Sequence, residues 1–197
     1  MKNVMKFAVA LVAMFASVAM HANDNDFNVK AKEGAGKAIS FSINDTKNVH
    51  VSLYSKEGSE IFNESLKSTN GKISRTYDLN ALPDGKYFLE TETATKVARH
   101  EITISGKTAT VSEAVVAEMF KPVVVTKNGI VTVSILNNDK TPVDIKMYDE
   151  GNNEVYSNTF NTQTVAKRFD INRSSAKKFT LVMTYNNKTF VETVAAR

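Results

Sequence analysis

The chain has 197 residues, 42% of them hydrophobic and 23% charged, with 25 Lys and Arg against 21 Asp and Glu, three histidines, and neither cysteine nor tryptophan. This is the composition of an ordinary globular protein. The lack of cysteine excludes thiolate catalysis, Cys-ligated zinc, iron–sulfur clusters, disulfides and a lipid-modified N-terminal cysteine.

The chain opens with a secretory signal. Lys2 and Lys6 precede an uncharged apolar run from Phe7 to Met20, and small residues suited to cleavage follow at Ser17-Val18-Ala19 and at Met20-His21-Ala22. A cut after Ala19 or Ala22 is expected, with 1–22 taken as the signal peptide. A membrane helix needs about 20 apolar residues; this run is shorter and gives way to Asn23-Asp24-Asn25-Asp26. No later stretch is apolar for long enough, so the expected location is secreted or periplasmic, with no transmembrane segment after signal removal. Loss of Lys2 and Lys6 leaves 23 basic residues against 21 acidic ones, which is not the concentrated basic footprint of a nucleic-acid binder. The one local cluster, Lys167, Arg168, Arg173, Lys177 and Lys178, reads as two solvated strand ends around a turn.

From there the dominant signal is alternation with period two, the pattern of strands with one face buried. Phe27, Val29 and Ala31 alternate with polar residues, then Ile39, Phe41 and Ile43, then Val49, Val51 and Leu53. Further apolar sets follow at Ile61 to Leu66, Ile73 to Leu79, Tyr87 to Thr91 and His100 to Ile104. Turn residues at Asn44-Asp45, Glu57-Gly58, Asn70-Gly71 and Pro83-Asp84-Gly85 separate them. About seven short strands in one such unit is the pattern of an immunoglobulin-like β-sandwich.

The second half repeats the first. Leu53-Tyr54 recurs as Met147-Tyr148, Ile61-Phe62 as Val155-Tyr156 and Leu66 as Phe160, 94 positions on. Tyr77-Asp78-Leu79 recurs as Phe169-Asp170-Ile171, Leu89 as Leu181 and Ile102 as Val194, 92 positions on. The changes of spacing fall in loops, where insertions are tolerated. The expected fold class is therefore all-β: two tandem Ig-like antiparallel β-sandwiches, over 23–112 and 113–197, after the signal peptide.

The most specific local string is Leu82-Pro83-Asp84-Gly85-Lys86-Tyr87-Phe88-Leu89-Glu90. Pro83 presets φ for a turn, Gly85 tolerates φ above zero, and Tyr87 is expected to point inward and direct its hydroxyl at nearby backbone, as a tyrosine corner does. Pro83, Gly85 and Tyr87 are thus expected as a structural turn, with φ above zero at Asp84 or Gly85. In the second half Phe179 stands at the position of Tyr87. With the Val51 to Gly58 hairpin and the Tyr77-Asp78-Leu79 strand, this string resembles the C-terminal sorting domain of type IX secretion in Bacteroidota. It is also similar to the Ig-like and fibronectin-like modules those bacteria export. The resemblance spans Val49 to Ile104, and more faintly Val143 to Val194, and it implies a β-sandwich fold and export.

Reactive groups are few. His50 alternates outward between Val49 and Val51, and His100 is expected at the head and rim of its strand. No serine sits in a G-x-S-x-G context. Glu90 and Glu92 could serve a glycosidase only in a cleft with a shifted pKa, and by parity both face outward as solvated carboxylates. Asp24, Asp26 and the acidic turn Asp149-Glu150-Gly151-Asn152-Asn153-Glu154 supply oxygen ligands but lack the spacing of a calcium loop. Tyr54 and Tyr148, outward at matching repeat positions, read as caps over their hairpins. No catalytic, cofactor-binding or metal-ligating residue is expected. The leading expectation is a non-catalytic binding or structural protein, secreted or periplasmic, whose partner is an unidentified protein or glycan of the cell envelope. The alternative is a sorting or export appendage associated with type IX secretion.

Overall fold

The computed structural model describes residues 28–31, 36–44, 47–68, 70–112, 114–172 and 174–196. The signal segment with His21, the candidate ligands Asp24 and Asp26, and Arg173 lie outside them. The strands in chain order are β1 (Asn28–Ala31), β2 (Ala38–Ile43), β3 (Asn48–Ser55), β4 (Glu60–Lys67), β5 (Ile73–Asp78), β6 (Gly85–Glu92), β7 (Lys96–Ser105) and β8 (Thr108–Val111). Then come β9 (Ala117–Phe120), β10 (Val123–Lys127), β11 (Ile130–Leu136), β12 (Val143–Asp149), β13 (Glu154–Phe160), β14 (Thr164–Asp170), β15 (Lys178–Tyr185) and β16 (Lys188–Ala195). The all-β expectation is borne out: the described residues form antiparallel sheets and contain no helix.

Two pairs of sheets each enclose apolar side chains. The three-stranded sheet β1-β2-β5 faces the sheet β4-β3-β6-β7-β8, and Ile39, Phe41, Ile43 and Ile73 share a core with Val51, Leu53, Leu89 and Ile102. The sheets β10-β11-β14 and β13-β12-β15-β16 enclose Val131, Val133, Ile135, Val143, Ile145, Val165, Leu181 and Met183. Alternation of buried and more exposed residues along β2, β7, β11 and β15, interrupted only at Ala38-Ile39 and Val97-Ala98 where two consecutive residues are buried, is what places these side chains between facing sheets. The hairpins β3–β4 and β12–β13 each carry a register shift, between Leu53 and Tyr54 and between Met147 and Tyr148.

Strand β7 departs most from expectation. It begins at Lys96 rather than His100, and its outer edge is used twice: Ile102–Ser105 pair with β8, and Lys96–Arg99 pair with β9. Neither β8 nor β9 is signalled by the sequence pattern, because both are four-residue edge strands too short to show a period. Strand β9 belongs to the first sheet by its hydrogen bonds, yet its Met119, and Val97 opposite it on β7, are buried in the second core.

The turn before β6 also differs from expectation. Neither Asp84 nor Gly85 has φ above zero, and Gly85 is the first residue of β6. The chain reverses one step earlier, where the Leu82 amide donates to the Leu79 carbonyl at 2.9 Å and the Asn80 amide to Asp78 Oδ1 at 2.9 Å. Leu79 is buried and Leu82 packs on the same core, so this pair anchors the reversal and leaves Pro83 to lead into the strand. The Tyr87 hydroxyl donates to the Pro83 carbonyl at 2.9 Å, and Asp84 Oδ2 accepts from the Gly106 amide at 2.9 Å. Phe179 is buried at the corresponding place and has no hydroxyl to offer.

Tyr87→Phe is therefore expected to destabilise the protein by about 1 kcal/mol, the usual net contribution of one hydrogen bond. A Cβ added at Gly85 would meet the Tyr87 ring at 3.7 Å, ordinary van der Waals contact at a φ any residue adopts. Gly85→Ala should accordingly be within about 0.5 kcal/mol of neutral. Urea unfolding of the two variants checks both statements, and equal losses would contradict this account of the turn.

Candidate functional site

The outer face of β6 and β7 is where charge gathers. By parity Glu90 points away from the first core, but it is only 6% exposed, because the β15–β16 hairpin covers it. Glu90 stands opposite Arg99 in the β6–β7 register and accepts from Arg99 Nε at 3.2 Å and Nη2 at 2.6 Å. Its other oxygen accepts from Lys188 Nζ, 98 residues away on β16. Lys188 also lies 3.9 Å from Glu92, whose second oxygen pairs with Lys121, while Lys96 pairs with Glu118 of β9 at 2.6 Å. The Arg99 guanidinium lies 5.5 Å from the centre of the Tyr54 ring and 5.7 Å from that of Phe88. Close by, the Tyr185 hydroxyl donates to the carbonyl of Phe120 at the end of β9.

These groups bound a cleft of about 530 Å³ lined by Tyr54, Phe88, Glu90, Arg99, Lys188 and Phe190 among others. The expectation that Glu90 is a solvated carboxylate is thus overturned, since alternation assigns a face but cannot say what covers it. Burial opposes ionisation of Glu90, yet the hydrogen bonds from Lys188 and Arg99 outweigh it and hold the carboxyl below its ordinary range. A glycosidase acid needs the opposite shift. Both oxygens are engaged by cations, so the group acts as an ionic clamp between the two cores.

The other sequence candidates are dispersed. His100 is in the middle of β7 and buried, not at a rim, whereas His50 is on β3 with its Nδ1 3.0 Å from Ser65 Oγ. Strand β6 separates the two strands, and the rings belong to opposite faces of the sheet. Burial, with the nearby Lys96 charge, pushes the His100 pKa below the usual histidine value. In the acidic turn, Asp149 Oδ1 accepts from the amides of Gly151 and Asn153, both at 2.9 Å, and Asn153 Nδ2 donates to both carboxylate oxygens. This carboxylate is taken up by its own turn, and the Asn153 side chain is the main reason its pKa is lowered. Among the described residues, no three His, Asp or Glu side chains gather as a metal would require.

Tyr54 and Tyr148 direct their hydroxyls at Glu60 and Glu154 within their own hairpins, each at 3.4 Å. In the basic cluster, Lys167 lies over the Tyr156 ring at 4.9 Å, and the Lys177 amide donates to Glu150 Oε2 at 3.1 Å. Sequence reasoning missed Lys188, Lys121 and Arg99 as members of one site. The only local signal was an acidic residue in a strand facing a basic one in the next.

Residues 35–105 match the family described as the secretion system C-terminal sorting domain. The resemblance read over Val49 to Ile104 is borne out and extends upstream through β2. The match links the chain to protein export, and among the described residues no helix is long and apolar enough to cross a membrane. No curated protein matches the chain. Similar solved structures include the BSP domain of a biofilm associated protein, at 13% identity and a TM-score of 0.28, covering 82% of this chain and 27% of that one. Another is the human OSCAR ligand-binding domain, at 8% identity and a TM-score of 0.25, covering 86% of this chain and 97% of that one. The chain thus spans about a quarter of the first of these structures.

The two shifted groups predict a stepped loss of stability in acid. His100 binds its proton more weakly folded than unfolded, so stability should fall as pH drops through the unfolded value of about 6.5. Glu90 binds its proton more weakly folded as well, so its contribution is complete above the unfolded value of about 4.3 and is lost as pH falls through its lower folded value. Urea midpoints measured from pH 8 to pH 3 should show both steps. His100→Gln should flatten the upper one and leave the lower, and an unchanged upper step would refute the assignment.

Proposed function

We propose that the chain is an exported, non-catalytic protein of two tandem Ig-like β-sandwiches, 23–112 and 113–197, that works as a stiff binding or structural module in the cell envelope. The carrying observation is the seam between the cores: β9 leaves the first unit as a strand hydrogen-bonded to β7, Val97 and Met119 are buried in the second core, and Lys188 is held on Glu90. A connection made of paired strand and buried charge sets the angle between the units, as a spacer or a two-part binding surface requires. The matching register shifts at Leu53/Tyr54 and Met147/Tyr148, each beside a tyrosine bonded to a glutamate six residues on, support the duplication. The partner would be a protein or glycan of the envelope.

The second reading, a sorting or export appendage of type IX secretion, draws on the family match at residues 35–105. It is weakened by the position of that match, ahead of the folded strands β10 to β16. It is weakened too by the second half's Asn172 to Phe179, which replaces the Pro, Gly and Tyr of the first.

Fractionation and mass spectrometry separate the two. The envelope protein should begin at Met20 or Asn23 and carry both halves intact. Cargo released without residues 35–105 would favour the sorting reading, and a chain still beginning at Met1 would sink the signal assignment.

A further inference from the structure

Strand β16 is an eight-residue strand bonded to β15 on one side, with no neighbour on the other among the described residues. Its counterpart 92 positions earlier is β7, whose outer edge is covered along Lys96–Arg99 by β9 and along Ile102–Ser105 by β8. The fold therefore covers this edge in one unit and leaves it open in the other. The comparison rests on the tandem correspondence proposed above; the open edge does not.

Exposed edges are ordinarily protected by charge, proline or a bulge. Strands β5 and β14 carry Arg75 and Asp78, and Lys167, Arg168 and Asp170. Both β4 and β13 pair through a register shift, and β10 follows Pro122 and ends in Lys127. In contrast, β16 pairs with β15 in unbroken register and has no proline, its one lysine is turned onto Glu90, and its one acid, the exposed Glu192, stands opposite Leu181 on the other face from Val191. Its outward residues Thr189, Val191 and Thr193 stand beside Thr184, Val182 and Thr180 of β15, an uncharged face with Val191 59% exposed.

We propose that β16 pairs with β16 of a second copy, antiparallel about a two-fold axis at Val191, joining two four-stranded sheets into one of eight. The strand is complementary to itself in that register. Val191 meets its own copy, Thr189 meets Thr193, and Phe190 meets Glu192, so no like charges stand opposite one another over Thr189–Thr193. A neutral threonine and valine face suits an identical face, because it carries no charge to desolvate, Glu192 lying on the opposite face.

The chain has no cysteine, which makes a direct test clean. A two-fold axis at Val191 brings its two Cα atoms to about 4.5–5.5 Å, within reach of a disulfide. In the full chain, Val191→Cys should oxidise to a covalent dimer at least about tenfold faster than Val155→Cys, a similarly exposed valine on β13, because pairing raises its effective concentration. In sedimentation experiments the unaltered chain should be a dimer, Val191→Lys a monomer, and Val125→Lys on β10 still a dimer. A monomer at every concentration, a Val191→Lys dimer, or equal crosslinking at 191 and 155 would overturn the proposal. Loss of the dimer in Val125→Lys alone would assign the contact to β10 instead. None of these outcomes depends on how the chain is exported.

Discussion

A buried carboxylate with two cationic partners organises this molecule. Glu90 lies on the outward face of β6, where a lone acid would be solvated, yet the second unit closes over it. Taking a charge out of water costs several kcal/mol unless its lone pairs are filled. Here Arg99 fills one oxygen from the neighbouring strand and Lys188 the other from across the seam. Removing Lys188 would leave the covered carboxylate with Arg99 as its one ion-pair partner. The same arrangement keeps Glu90 charged, which suits a clamp and not an acid catalyst.

Around this clamp the backbone makes the second connection. Strand β7 is long enough to carry two edge strands, and the one nearer the second unit, β9, is the connection itself. A flexible linker would leave domain motion as the default. Here β9 is hydrogen-bonded to β7 and its Met119 is buried in the second core, contacts that oppose such motion. Between β8, which pairs with β7 beside the first core, and β9, whose Met119 is buried in the second, the chain passes from one set of apolar side chains to the other.

Much of the fold was legible because alternation is a strong local signal. The inward sets at Ile39, Phe41 and Ile43 and at Val131, Val133 and Ile135 lie in the cores where period two puts them. Three things were not legible, each for a physical reason. The four-residue strands β8 and β9 are too short to show a period. The turn at Leu79 to Leu82 is set by buried Leu79 and half-buried Leu82 packing on one core, while Pro83 and Gly85, the usual turn residues, only follow it. Lys188 was invisible as a site residue because ion pairing across 98 residues leaves no trace in spacing.

The claim on which the rest depends is that seam and clamp join the two cores into one cooperative body, and scanning calorimetry of the full chain tests it most directly. A single transition whose calorimetric and van't Hoff enthalpies agree is expected, and Lys188→Met, which keeps the apolar stem and removes the charge, should separate it into two. Two independent transitions in the unaltered chain, or a Lys188→Met variant that melts like the original, would contradict it.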